Sequence, residues 1–217
     1  MVDENPDLLA AAAVQDEAAR KALTALAVSL LEAPNMRVMT RAMVFGWYDD
    51  RTFGVVEQVS DHLPFPEAGQ VRQRLWKIVP SQVVLATGAH ERPLLFANND
   101  RPGVMLASAV QRYIRQYGVK PGHRAVVFTN NDSAYQTAID LHDAGARVEA
   151  IIDTRPSTAE ATLEQAKQRA IPVFNGHAIV GTTGRRRVDR ICVRRFDGKG
   201  GVTGAVRKFT CDLVAVS

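Results

Sequence analysis

The 217-residue sequence predicts an α/β fold of two nucleotide-type units, and three stretches carry that expectation. Val83-Val84-Leu85-Ala86-Thr87-Gly88-Ala89 is an apolar run ending in small residues and Gly, the pattern of a buried strand entering a turn. From Arg124 to Asp153 the pattern is strand, helix, strand: Ala125-Val126-Val127-Phe128, an amphipathic helix from Ser133 to Ala144 closed by Gly145, then Val148 to Ile152. Between 176 and 210, short β-forming segments alternate with Gly184 and Asp197-Gly198, which predicts a β meander.

Composition bounds the function before any motif does. A hydrophobic share of 46% with 23% charged residues suits a globular chain, long enough for one domain or two small ones. The formal net charge of +4 is too mild to predict nucleic-acid binding. Much of the excess lies in Arg185-Arg186-Arg187, Arg190, Arg194-Arg195 and Arg207-Lys208, where a solvated hairpin face ranks ahead of a phosphate or partner site. Cys192 and Cys211 form no Cys-x-x-Cys, so neither a redox dithiol nor a metal site is expected of this chain. No apolar run approaches the roughly 20 residues that span a bilayer. The N-terminus lacks the basic-then-apolar order of a signal peptide. A cytoplasmic chain without membrane contact is expected.

In chain order, residues 7–32 are Ala/Leu-rich and free of Gly and Pro, which favours a helix. Leu23, Leu26, Leu30 and Leu31 give it an apolar stripe, Asn5-Pro6 a start signal and Pro34-Asn35 a stop. Residues 36–45 alternate loosely into the turn Gly46-Trp47-Tyr48-Asp49-Asp50. Residues 53–60 and 71–79 then read as antiparallel strands across a Pro/Gly loop, and this meander feeds the Val83 strand, which Pro93 closes. Val110 and Ile114 beside Arg112 and Arg115 make 107–117 an amphipathic helix, ended by Gly118 and Pro121-Gly122, the expected hinge into the second unit. A helix over 158–170, a short strand over 171–174, the meander and a last strand at 211–217 complete the chain.

The turn inside the second unit bears on what it can hold. A dinucleotide-binding turn reads Gly-x-Gly-x-x-Gly/Ala, the first Gly making the bend and the second admitting the pyrophosphate to bare backbone. Thr129-Asn130-Asn131-Asp132-Ser133-Ala134 meets that pattern only at Ala134. Side chains at Thr129 and Asn131 crowd a phosphate, and Asp132 repels it. Asp153 stands where a ribose-binding acid would be. The expectation is a nucleotide-type fold without a working pyrophosphate site, which packs instead of exchanging NADPH.

From Arg74-Leu75-Trp76 through Ala86-Thr87-Gly88-Ala89-His90-Glu91-Arg92-Pro93 and the run Leu94 to Met105, on to Asp153, the sequence resembles the sarcosine oxidase α-subunit family. The opine oxidase and hydrogen cyanide synthase subunits are its relatives, within the flavoproteins that have two dinucleotide-binding domains. The resemblance implies a partial first FAD/NAD(P)-binding Rossmann-like domain over 1–94 and a linker with a helix over 95–122. It implies an inserted second NAD(P)-binding-like βαβ domain over 123–208, and a strand at 209–217 returning to the first domain. It places Glu4, ending Val2-Asp3-Glu4, on the adenosine ribose. Met43 would lie beside the adenine, with a core methionine as the commoner reading, and Ala86, Thr87 and Gly88 would contact the cofactor at their turn. Two departures stand out. Leu9-Ala10-Ala11-Ala12-Ala13 replaces the family's double Gly, and the first Gly-x-Gly-x-x-Gly would precede Met1. At the other end, the sequence stops at Ser217, just where a Gly-Gly would begin in the family pattern. A central segment of a longer subunit is therefore expected.

The family implies oxidative demethylation of sarcosine to glycine, hydrogen peroxide and a one-carbon unit that tetrahydrofolate can accept. NAD would be a fixed ligand of the α subunit and FMN would lie at the subunit boundary. FAD and the amine-oxidising site would belong to a β-type flavoprotein subunit of a hetero-oligomer. Opines or proline are alternative substrates. His62, His90, His123, His142 and His177 show neither metal-ligand spacing nor a paired nucleophile, so no catalytic residue is expected here. Two other classes stay open: a free-standing NAD(P)H-dependent flavoprotein reductase, disfavoured by the 129–134 turn, and a non-catalytic docking module for partner subunits.

Overall fold

The computed structural model describes residues 17–217, with side chains from Lys21 onward. Two compact units meet in the sequence after Gly88.

In the first unit, helix α1 spans Glu17–Glu32. Its half-buried stripe is Thr24, Ala27 and Leu30, whereas Leu23, Leu26 and Leu31 are exposed. The expected leucine stripe is thus covered only at Leu30. Strands β1 (Ala42–Tyr48), β2 (Thr52–Gln58) and β3 (Gln73–Ile78) form an antiparallel sheet in that order. A short 3-10 turn at Asp49–Arg51 joins the first two, with Asp50 and Arg51 at positive φ. Phe53 and Val55 on the central strand are buried, and Trp47 stacks on Phe53 with ring centroids 5.4 Å apart. Trp76 donates its indole N–H to Glu57 at 2.8 Å while the Arg37 guanidinium lies 4.3 Å from its ring centroid. The indole N–H, with Arg74 and Arg37 beside it, holds the Glu57 carboxyl below its ordinary range.

The Val83–Ala86 run is not a strand, and Val84 is 89% exposed. This corrects the expectation of a buried strand. A continuous apolar run becomes one only when neighbouring strands satisfy its N–H and C=O groups and layers cover both its faces. Among the described residues none pairs with it.

The second unit is three-layered. Its parallel sheet has the order β4 (Val104–Leu106), β11 (Leu213–Val216), β5 (Arg124–Thr129), β6 (Arg147–Asp153), β7 (Val173–Asn175). Period-two alternation assigns each strand residue to a layer. Ala125 and Val127 of β5 face helices α2 (Ala107–Tyr117), α3 (Ser133–Asp143) and α4 (Glu160–Gln168), packing with Val110, Tyr135, Leu141 and Ala166. Val126 and Phe128 face an antiparallel meander of β8 (His177–Thr183), β9 (Arg190–Phe196) and β10 (Val202–Thr210), meeting Ile179, Val188, Ile191 and Val193.

The last strand, β11, expected to return to the first domain, pairs in parallel with β4 on one side and β5 on the other. Its four residues are all buried, as a run apolar on both faces requires. Asp212, just before it, accepts the backbone N–H groups of His123 and Arg124 and fixes its entry. Gly103, at φ +99°, lets the chain into β4. A Cβ there would lie 2.6 Å from Val188 Cγ1 and 2.8 Å from the Asp212 carbonyl oxygen. The stretch expected as a linker with a helix supplies that helix, α2, together with β4, and both pack on the second unit.

The meander segregates charge. Residues 183–210 hold Arg185, Arg186, Arg187, Arg190, Arg194, Arg195, Lys199, Arg207 and Lys208 against only Asp189 and Asp197. The ion pairs among the described residues all lie outside this segment.

Candidate dinucleotide sites

The first candidate site belongs to the first unit. Glu4 lies outside the described residues. Met43, on β1 opposite Val56, is 62% exposed, so it is no core methionine. Ala86, Thr87 and Gly88 are exposed and outside any regular element. Gly88 adopts φ +72°, and a Cβ built there meets nothing within 4 Å, so bare backbone faces open space. No side-chain hydrogen bond among the described residues links Met43 to this turn.

The second candidate site is the crevice at the C-terminal ends of β5, β6, β7 and β11, where open α/β sheets bind their ligands. Here the chain's own side chains fill the place. Asp153, ending β6, is fully buried. Its Oδ2 accepts the Tyr135 hydroxyl at 2.9 Å and Arg155 Nη2 at 2.7 Å. Its Oδ1 accepts the Arg155 backbone N–H at 2.9 Å and Nε at 3.1 Å. Thr158 Oγ1 lies 3.1 Å from Oδ2 and 2.9 Å from the Tyr135 hydroxyl. Arg155 Nη2 also reaches Asp132 Oδ1 at 2.8 Å. The hydrogen bonds to Asp153 raise the Arg155 guanidinium still further above its ordinary value, Asp132 adding to them. Burial raises the Tyr135 phenol, and the Asp153 charge adds to it.

The turn before α3 is equally engaged. Thr129 Oγ1 accepts the Asn131 N–H and donates to the Asn131 carbonyl, each at 3.0 Å. Asn131 Nδ2 donates to Ser217 Oγ at 3.0 Å. Asn131 Oδ1 accepts Ser133 Oγ at 2.7 Å and the Ala134 N–H at 3.4 Å. That oxygen takes up a free amide at the helix start, the kind of donor a phosphate would use.

Sequence reasoning identified the missing glycines and the position of Asp153, but not Arg155, Tyr135, Thr158 or Ser217. One local signal was available. In Asp-x-Arg directly after a strand, the i+2 spacing lets both backbone and guanidinium turn back on the carboxylate.

Other sites carry less chemistry. A cavity of about 570 Å³ lined by His142, Arg147, Glu149, Arg169, Ile171 and Pro172 opens at the N-terminal ends of β6 and β7, opposite the crevice. Among the described residues no group of three His, Cys, Asp or Glu is placed to hold a metal. Cys192 and Cys211 are free thiols, and burial, with Asp212 and Asp189 adding, pushes Cys211 up to about 12.

No family model matches the chain. Among curated proteins, it is 48% identical to sarcosine oxidase subunit alpha of Rhizobium meliloti (strain 1021) over 128 residues, 59% of this chain and 13% of that one. It is 39% identical to sarcosine oxidase subunit alpha of Corynebacterium sp. (strain P-1) over 198 residues, 90% of this chain and 20% of that one. The chain thus spans a fifth or less of the length of these relatives. Among solved structures, T. acidophilum thioredoxin reductase superposes with a TM-score of 0.61 at 14% identity, over 92% of this chain and 58% of that one, a likeness of fold alone. On a Rossmann-like α/β fold, this chain is a sequence relative of the sarcosine oxidase α subunit over nine-tenths of its length.

Proposed function

We propose that this chain is the dinucleotide-binding and structural portion of the α subunit of a flavin-dependent sarcosine oxidase. The observation that carries the reading is the 39% identity sustained over 198 residues. In this reading the enzyme takes two electrons from sarcosine at its N-methyl carbon. Water then releases glycine and a one-carbon unit, and oxygen leaves as hydrogen peroxide. A flavin bound in the complex would accept those electrons, while the protein binds and orients. FAD and the amine-oxidising site lie in a β-type flavoprotein subunit, and FMN at the subunit boundary.

NAD is assigned to the first unit, through Glu4, Met43, Ala86, Thr87 and Gly88. The exposed Met43 and the uncovered backbone at Gly88 support this, since a flat ligand can approach both. The second unit does not fit such a ligand, because its acid and its turn already have partners. That disfavours a free-standing NAD(P)H reductase. No helix among the described residues is long and apolar enough to cross a membrane, which accords with a cytoplasmic complex.

The test is to recover the natural complex through a tag on this chain and measure substrate-dependent peroxide with sarcosine, an opine and proline in parallel. Sarcosine is expected to give the highest rate, with a flavoprotein subunit co-purifying. A complex that oxidises proline or an opine but not sarcosine would overturn the substrate assignment.

A further inference from the structure

A nucleotide fold holds its ligand with three groups: free amides at a helix start under the pyrophosphate, uncovered backbone at the first turn, and an acid on the ribose hydroxyls. In the second unit each has a partner from the chain itself. The Ala134 amide points to Asn131 Oδ1. The turn backbone at Asn131 is closed on Thr129 Oγ1, and the Asn131 carboxamide is anchored to Ser217 on the neighbouring strand. Asp153 is saturated by Tyr135, Thr158 and Arg155. Arg155 then continues to Asp132, so one guanidinium spans the strand end and the turn. Among the described residues no buried side-chain nitrogen or oxygen is left without a partner.

We propose that the second unit is self-liganded: Asn131 takes the phosphate position and Arg155 the ribose position of a dinucleotide crevice, and together they keep NADH and NADPH out. Asn131 closes the phosphate position and Arg155 the ribose position separately, and a nucleotide that reaches the acid must part Arg155 from a fully buried carboxylate. That step weakens binding by more than about a hundredfold relative to an open crevice. Asp132 works in the same direction, placing a negative charge beside the pyrophosphate position. The inference concerns the second unit alone and stands apart from the assignment of sarcosine.

The experiment is an NMR titration of the full ¹⁵N-labelled chain with NADH, read at the amides of Asn131, Ala134 and Arg155. In the natural sequence those three signals are expected to show no saturable shift, and shifts confined to residues 41–48 and 86–88 agree with the proposal. The variant Asn131→Gly/Asp132→Ala frees the helix start and removes the repelling charge while leaving Asp153 paired with Arg155, so the fold is retained. It is expected to bind NADH at least tenfold more tightly, with shifts at Ala134 and Arg155. Saturable shifts at those amides in the natural sequence would overturn the proposal. So would a folded double variant that stays as silent as its parent.

Discussion

Asn131 and Ser217, 86 positions apart, meet through a 3.0 Å hydrogen bond from the Asn131 carboxamide to the Ser217 hydroxyl. The bond ties the turn after β5 to the end of the neighbouring β11. It makes the last residue of the chain part of the crevice that a nucleotide fold would keep open.

Removing Arg155 should be far more damaging than removing the Tyr135 hydroxyl. Arg155→Ala leaves Asp153 buried without its counter-charge, which costs about 3–5 kcal/mol. Tyr135→Phe deletes one of several donors to the same carboxylate and costs roughly 1–2 kcal/mol. Urea denaturation of the two variants measures the difference, and equal losses would contradict the role given to Arg155.

Gly103→Ala should destabilise the second unit by at least about 1 kcal/mol. The residue sits at φ +99°, and the added methyl group meets Val188 and the Asp212 carbonyl. A melting temperature unchanged from the parent would mean that the entry to β4 yields more easily than its packing indicates.

Cys211 makes stability fall in alkali. Its folded value, about 12, lies above the ordinary 9.0, so the folded state keeps a proton that the unfolded chain releases. The stabilisation is whole below pH 9 and is lost as pH rises from there towards 12. The slope is at most about 1.4 kcal/mol per pH unit. Cys211→Ala should reduce the fall of the denaturation midpoint over that window, the raised Tyr135 phenol keeping part of it. In the native protein Cys192, which is partly exposed, should react with a thiol reagent well before Cys211.

Gly88→Leu should lower the NAD retained by the purified complex at least about tenfold, because a side chain then occupies the uncovered backbone at the turn. Quantifying nucleotide released from equal amounts of complex by acid extraction gives the answer. Undiminished NAD in the variant would remove Ala86–Gly88 from the site.

Two similar runs show how far the sequence could be read. Val83–Leu85 and Leu213–Val216 are both unbroken apolar stretches, and both predict buried strands. One lies open to solvent and the other forms an inner strand of a parallel sheet. Pattern records that a run suits burial on both faces, but the neighbours that provide the burial lie far away in the chain. The β-α-β between Arg124 and Asp153 was legible because its alternation and its capping glycine are local. At the crevice, the lost glycines of 129–134 could be read directly. The bridge from Arg155 to Asp132 could not, since it depends on how two loops face each other once the sheet has formed.

The arginine-laden meander gives the molecule a lopsided electrical character. A chain of formal charge +4 would ordinarily be held weakly by a sulfonated resin. With nine cations gathered between 183 and 210 and no ion pair there among the described residues, retention should follow the local field and not the sum. Elution should shift sharply with modest salt, and swapping Arg185, Arg186 and Arg187 for serine should bring it forward more than three arginines removed elsewhere.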